Sequence, residues 1–302
     1  MHISVMIDGE SQSELVRKAQ DLEERGFHSV WMANVVGYGF ETLQAMSLIA
    51  RETKRIKLGT AVVPIHLYHP LALAHQAMTI QKVADGRFTL GIGLSHPPIV
   101  EGWLGLPYTN LMTRMREYLS ILRPLLHGKS VNFEGKYYST NAEIHLPDVE
   151  RVSLLAAALG PMMLKLAGEM TDGTVTYLTG LRTLETHTIP RIKSSAKEFG
   201  NPAPRIVAGG LPIALVDDVE GARVAIAEQF SLYGSLPSYR KMFDLEGAMG
   251  AADVAILGDA ISLKATLNRL EDIGVTDFVA DPVAANENAV DRTIDFLTAQ
   301  LL

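Results

Sequence analysis

The sequence predicts an α/β protein of the (β/α)8 TIM-barrel class, with insertions after strands four and seven. Three observations carry this. Short apolar runs of strand length alternate with helical-period stretches along the chain. Eight strands are found, each followed by a helix, in 302 residues. The apolar runs also stop on polar or turn-forming residues. Phe88-Thr-Leu-Gly-Ile-Gly-Leu-Ser-His-Pro-Pro98 is the clearest case. It reads as a buried strand ending in Ser95 and His96. Gly91 and Gly93 allow close backbone approach, and Pro97-Pro98 force the chain out of regular structure. Such a polar pair at a strand's carboxyl end is where α/β proteins carry their chemistry.

Residues 2–8 form the first expected strand. The helix at 11–25 buries Leu15, Ala19 and Leu22, is capped near Ser11 or Ser13, and stops at Gly26. Strand two (27–33) closes on Asn34. Helix two (41–52) turns Leu43, Met46, Leu48 and Ile49 inward. Strand three (56–63) meets Pro64, and helix three (71–84) ends at Asp85-Gly86. Strand four is 88–94. The alternation breaks over about 97–150, which holds a helix at 113–126 and a hairpin around 131–138, turned at Glu134-Gly135. It resumes with strand five (152–158) and a helix at 161–170 with Pro161 in its first turn. Strand six (174–178), a helix (184–198) and strand seven (within 206–215) follow. A second, helical insertion covers about 218–250. A helix at 260–272, strand eight at 277–280 and a helix at 288–301 complete the barrel, so 1–302 reads as a single domain. The runner-up is an open dinucleotide-binding sheet. Gly91-Ile-Gly-Leu-Ser-His96 puts histidine where the third glycine belongs, and Pro97-Pro98 separate it from any helix.

Composition narrows the function. A formal charge of −7 argues against non-specific nucleic-acid or anionic-membrane binding. The chain has no cysteine, which excludes disulfides, thiol catalysis and Cys-ligated zinc. No secretion signal and no membrane-length apolar run is seen, so a cytoplasmic protein is expected.

Topology alone puts the functional face at the strands' carboxyl ends: Asp8, Asn34, residues 63–69, Ser95 and His96, Gly160, Thr179 and Gly180, and Leu211 and Pro212. Leu159-Gly160-Pro161 and Leu178-Thr179-Gly180 are either anion seats at helix starts or ordinary βα turns. His66, His69 and His75 are spaced like metal ligands. No acid lies among them, and His75 falls inside helix three, so no metal is expected. Gly93-Leu-Ser-His-Pro97 lacks the second glycine of a serine-hydrolase elbow. Glu101 and Trp103 are placed at the pocket rim or in packing.

Several segments together resemble the luciferase-like monooxygenase superfamily, and in particular its branch using the deazaflavin coenzyme F420. They are Glu24-Arg-Gly-Phe-His-Ser-Val-Trp-Met-Ala-Asn34, Ile56-Lys-Leu-Gly-Thr-Ala-Val62 with His69-Pro70, and Asp85-Gly-Arg-Phe-Thr-Leu-Gly-Ile-Gly93. Ala157-Ala-Leu-Gly-Pro161, Ala167-Gly168 and Asp172-Gly173 complete the set. The resemblance implies a barrel with the cofactor across its carboxyl face. It puts Asn34 where relatives often carry Asp near the reactive ring. It puts Ala61, Val62 and Val63 at a bulge that often holds a non-prolyl cis peptide against that ring. Ser95 and His96 occupy the place of an acid–base pocket residue, and Gly160, Thr179 and Gly180 that of the phosphate seat. Asn34 cannot serve as an acid, and His96 stands where some sugar-phosphate-oxidising relatives have Glu.

The implied activity is hydride transfer between deazaflavin C5 and a small organic substrate, with His96 as proton partner and Asn34 as a hydrogen-bonding residue. An FMN-dependent monooxygenase fed by a separate reductase and a catalytically silent flavin-binding relative are the alternatives. A homodimer is the implied assembly.

Overall fold

Eight parallel strands close on themselves in the computed structural model, which describes residues 1–301. They are β1 (His2–Met6), β2 (Ser29–Met32), β3 (Lys57–Thr60), β4 (Phe88–Gly93), β5 (Ser153–Ala156), β6 (Gly173–Tyr177), β7 (Arg205–Leu215) and β8 (Asp277–Pro282). Pairing of β8 with β1, Val5 opposite Ala280, closes the barrel. The predicted (β/α)8 class is therefore the observed one.

The first helix, Gln12–Glu24, shows why these segments adopt these elements. Ser11 Oγ accepts the Glu14 N–H at 3.2 Å, so Ser11 rather than Ser13 is the cap. Leu15, Ala19 and Leu22 form its buried face. Burying each leucine is worth roughly 1.5–3 kcal/mol. Gly26, at φ +91, ends the helix.

Inside the barrel, Trp31, Leu155, Val175, Val207 and Val279 form one cluster, with Met6, Ala61 and Val62 packed against it. Trp31 is 1% exposed. Its indole lies so close to Gly59 that a Cβ there would overlap it. Its Nε1 donates to Ser29 Oγ at 2.7 Å. The interior is packed, so ligand chemistry belongs to the mouth.

Two boundaries differ from expectation in ways that matter for the site. Strand three stops at Thr60. The Ala61–Val62 peptide is cis, and Val63–Pro64 then pairs with Ile92 and Gly93 of β4. Strand eight runs two residues beyond 280, to Pro282, because β7 is long enough to keep pairing with it. The register shifts between Gly209 and Leu211, where Gly210 takes φ +57, and Pro212 pairs with Asp281.

The first insertion holds a wide helical turn, Pro98–Trp103, the helix Leu111–Leu126 and a hairpin, Val131–Glu134 with Ser139–Ala142. Glu117 ties the hairpin turn to the helix by accepting the N–H groups of residues 136, 137 and 138 at 2.7–3.2 Å. Pro98–Trp103 was not expected, because Pro97-Pro98 reads as a break. Pro98 sits in the helix's first turn, where a missing N–H does no harm. The second insertion contains the helices Val219–Gln229, Ser231–Ser235, Pro237–Glu246 and Ala251–Val254. A further short strand, Ile256–Gly258, pairs with the end of β7. Among the described residues no helix is long and apolar enough to cross a membrane.

The amino end of the barrel carries a polar cluster. Arg205 pairs with Asp277 at 2.9 Å, and His2 stacks on His28 at 3.7 Å. Burial, with the neighbouring His2, pushes the His28 imidazole down to about 4. The folded state therefore keeps His28 neutral where the unfolded chain, near 6.5, binds a proton. Stability is complete above pH 6.5 and is lost as pH falls toward 4. Discounted for its remaining solvent contact, the loss attributable to His28 between pH 7.5 and 4.5 is about 1–2 kcal/mol. In urea unfolding, His28→Phe is expected to lose that much less over this interval. An equal acid loss in both proteins would discard the assignment.

Candidate active site at the carboxyl end of the barrel

The site is built around the end of β4. Thr60 Oγ1 accepts the Gly91 N–H at 2.8 Å and donates to the Gly91 carbonyl at 2.9 Å, joining β3 to β4 where the third strand breaks. A Cβ on Gly91 would strike the Thr60 carbonyl oxygen, and one on Gly93 would meet Val62 Cγ2 at 2.5 Å. Both glycines therefore make room for the Ala61–Val62 segment. Ala61 and Val62 are half-buried on top of the Trp31 cluster, while Val63 is fully buried.

Ser95 follows at φ +61, a left-handed conformation that disfavours a side chain. Its carbonyl accepts the Tyr108 hydroxyl at 2.9 Å, fixing the loop of the first insertion over the mouth. Ser95→Gly is expected to raise unfolding stability by about 1 kcal/mol, because glycine takes this φ without steric penalty. Unchanged or lower stability in a denaturant melt would contradict this.

Asn34 Nδ2 donates to Glu41 Oε1 at 3.0 Å, and the Tyr68 hydroxyl donates to the same oxygen at 2.9 Å. Glu41 Oε2 accepts the Gln44 N–H at 2.9 Å and so caps its own helix. Asn34 is thus held by a carboxylate at the entrance. His69 Nδ1 accepts the Leu71 N–H at 3.3 Å as a helix cap, and His75 lies in the helix Pro70–Val83. Among the described residues no three His, Asp or Glu side chains gather as a metal site. Both ring nitrogens of His66 are buried without a hydrogen-bond partner. Burial, with the Arg114 charge, lowers the His66 imidazole.

His96 is half-buried, and desolvation lowers its pKa, favouring the neutral ring. It stands edge-on to Tyr233 at 6.3 Å and is 5.6 Å from Tyr239, both from the second insertion. Tyr233 lies 5.2 Å from Tyr177 at the end of β6. The four rings form an aromatic wall across the mouth. Beyond it a cavity of about 780 Å³ opens beside the ends of β8, β1 and β2. Asp281, Asp8, Tyr177, Phe40 and Phe230 line it, and His96 does not.

The two expected anion seats differ. At Gly160 the helix Pro161–Met170 begins with no side-chain cap, and the space around the missing Cβ is open. At Thr179 and Gly180 the seat is closed. Thr179 is fully buried and donates its hydroxyl to the Tyr177 carbonyl at 3.2 Å. The next free amides, Arg182 and Thr183, donate to Glu246 at 3.1 and 2.7 Å. The Glu246 carboxylate lies where a Cβ on Gly180 would go. The expectation of an open seat at Thr179 and Gly180 is thus corrected. A carboxylate from the second insertion already satisfies that helix start.

The profile of the family described as luciferase-like monooxygenase matches residues 1–292. The chain belongs to the luciferase-like monooxygenase family. This luciferase-like protein is 30% identical over 201 residues to an F420-dependent glucose-6-phosphate dehydrogenase of Nakamurella multipartita, covering 62% of this chain and 59% of that one. The match thus spans less than two thirds of the dehydrogenase. In fold, the luciferase-like chain is similar to the coenzyme F420-dependent tetrahydromethanopterin reductase of Methanopyrus kandleri. The TM-score is 0.78 at 19% identity, covering 98% of this chain and 97% of the other. It is also similar to the FMN-bound oxygenating constituent of 3,6-diketocamphane monooxygenase from Pseudomonas putida. There the TM-score is 0.73 at 17% identity, with 99% and 97% covered.

Sequence reading missed Glu41, Tyr68, Tyr177, Tyr233, Tyr239, Glu246 and Asp281 in this luciferase-like mouth. Asp281 had a usable signal. It is a lone acid directly after the apolar run of the last strand, one residue beyond the strand end expected at Ala280. Tyr233, Tyr239 and Glu246 come from helices of the second insertion whose docking on the mouth no local pattern encodes.

Proposed function

We propose that the protein is a coenzyme F420-dependent oxidoreductase that moves a hydride between deazaflavin C5 and a small organic substrate. The observation that carries this reading is the combination at the mouth of an open anion seat at Gly160 and an apolar shelf at Ala61 and Val62. The F420-dependent relative supports the choice of cofactor.

The residues present fit such a group. The amides following Gly160 suit its phosphate. The partnerless His66 nitrogens, below the surface near the bulge, suit a polar ring edge. Bound deazaflavin supplies a carbon that accepts or releases hydride. Ala61 and Val62 would back the ring, while the fully buried Val63 anchors the segment beneath them. Ser95 fixes the end of β4. Asn34, oriented by Glu41, presents a hydrogen-bonding amide at the entrance. His96 and the tyrosine wall keep water from the reacting face.

Titration of purified protein with oxidised F420 and with FMN, followed by cofactor fluorescence, tests the reading. Saturable F420 binding at least tenfold tighter than FMN is expected. Tight FMN binding without F420 binding, together with oxygen uptake on reduced FMN, would replace it with the monooxygenase alternative.

A further inference from the structure

We infer that the cavity beside β8 is a binding site for an organic ammonium ion, an apolar body carrying a protonated amine, with the Asp281 carboxylate as its counter-ion. The site stands apart from the seat proposed for the cofactor. Asn34, Ala61, Val62, Ser95 and Gly160 do not line this cavity, and no hydride step is assigned to it. The inference does not rest on the cofactor reading.

Asp281 lacks what other sheltered acids in the molecule have. Asp277 is partnered by Arg205, Glu117 by three amides, Glu41 by Asn34 and Tyr68, and Glu246 by two amides. Among the described residues Asp281 makes no ion pair and no side-chain hydrogen bond, although it is half-buried at the end of β8. A carboxylate in that position is costly to keep charged alone, and a cation from outside the chain removes the cost. It is reachable, because it lines a cavity of about 780 Å³, a size typical of small-molecule sites.

The charges around the cavity leave the inner end without a cation. Its carboxylates are Asp8, Asp21, Asp281 and Asp291. Of its cations, Lys18 is engaged by Asp8 and Glu14, and Arg25 by Asp21 and Asp295. Arg17 is exposed on the helix Gln12–Glu24. Asp8 and Asp291 are exposed too, so water solvates them. Tyr177 from β6 and Tyr233 from the second insertion also face Asp281, and burial holds both phenols above their ordinary range, hence neutral. The uncompensated charge is therefore that of Asp281.

The walls select the rest of the ligand. Phe40, Tyr177 and Phe230 bring aromatic rings, whose faces attract a cation, and Met6, Met32 and Val283 add apolar surface. A bare metal ion is poorly served, because among the described residues no three His, Asp or Glu side chains gather. An anion meets repulsion at the inner end, and a neutral molecule leaves the carboxylate unpaired. A protonated amine donates N–H groups to Asp281 and lays its apolar body on the walls. Burial, with the Asp8 charge, pushes the Asp281 carboxyl up to about 6. The ionised form is the one that holds the cation, so binding is complete well above pH 6 and is lost as pH falls below it.

The test titrates the purified protein with benzylamine, benzyl alcohol and benzoate, probes of similar shape and different charge, followed by saturation-transfer NMR at about pH 7.5. Benzylamine, protonated at that pH, is expected to bind about tenfold or more tighter than either of the others. Lowering the pH to about 5 should weaken benzylamine about tenfold, because only about a tenth of Asp281 then stays ionised, and should leave benzyl alcohol within about twofold. In protein labelled at its methionine methyl groups, benzylamine should shift the signals of Met6 and Met32, which line the cavity, and not that of Met249, which is 83% exposed outside it. Asp281→Asn should bring the amine and the alcohol within about threefold of each other. Equal binding of amine and alcohol, an amine affinity that does not fall with pH, or unshifted Met6 and Met32 signals overturns the site in the wild-type protein alone, so a variant that fails to fold leaves the decision intact. An amine preference retained in Asp281→Asn overturns the counter-ion. Each of these outcomes leaves the cofactor reading as it stands, since no cofactor enters the experiment.

Discussion

Gly91→Ala is expected to destabilise the barrel by about 3 kcal/mol or more, enough to deplete soluble protein. The new Cβ would be driven into the Thr60 carbonyl oxygen, a backbone atom that cannot swing aside. Thr60 is also fixed by its two hydrogen bonds to Gly91 itself, so the collision cannot be relieved without breaking the join between β3 and β4. Gly160→Ala supplies the contrast. Its φ is −79 and no atom lies near the added methyl group, so stability should stay within about 0.5 kcal/mol of the parent. Its effect should fall on the anion seat proposed at Gly160, weakening binding of the proposed cofactor several-fold. Urea melts and cofactor titration of the two variants separate these outcomes. A Gly91→Ala protein of native stability would mean that the bulge can shift to make room.

Glu246→Gln is expected to raise affinity for a phosphate-bearing cofactor about fivefold, at a stability loss of about 1 kcal/mol. The carboxylate now neutralises the helix start at Gly180, and its charge repels a second anion approaching the adjoining strand end. Glutamine keeps an oxygen for one amide and removes the charge. Because the effect is electrostatic, the gain should shrink as salt is raised from about 0.02 to 0.5 M. Titration at both salt levels checks this. A fall in affinity would show instead that the carboxylate shapes the neighbouring seat.

Most of the barrel was legible because its signals are local. The alternation of apolar runs with helical-period stretches, Ser11, Gly26 and Pro161 each mark an element within a few residues. The cap-and-stop logic succeeded at the Gln12–Glu24 helix, and the Ala260–Asp272 helix falls where the strand–helix alternation places it. The mouth was legible only in part. Residues on the strand ends, such as Asn34, Ser95, His96 and Gly160, could be listed from topology. Which of them meet an open space depends on Tyr233, Tyr239 and Glu246, brought there by tertiary docking of the second insertion. Asp281 was lost to a boundary error of a kind inherent in local reading, because the length of β8 is set by its partner β7. His96 looked like the reactive group because it follows a strand. Its aromatic neighbours lie far away in the chain.

The two tryptophans occupy opposite extremes of this architecture. Trp31 is sealed inside the barrel at 1% exposure, whereas Trp103 is 53% exposed at the rim, where its ring lies 2.6 Å from the position a Cβ on Gly37 would take. Their indole emission can therefore be told apart by colour and by access to iodide. One reports the integrity of the scaffold and the other the state of its doorway. The molecule thus carries two native optical probes, and with them loosening of the entrance can be timed separately from collapse of the interior without attaching a dye.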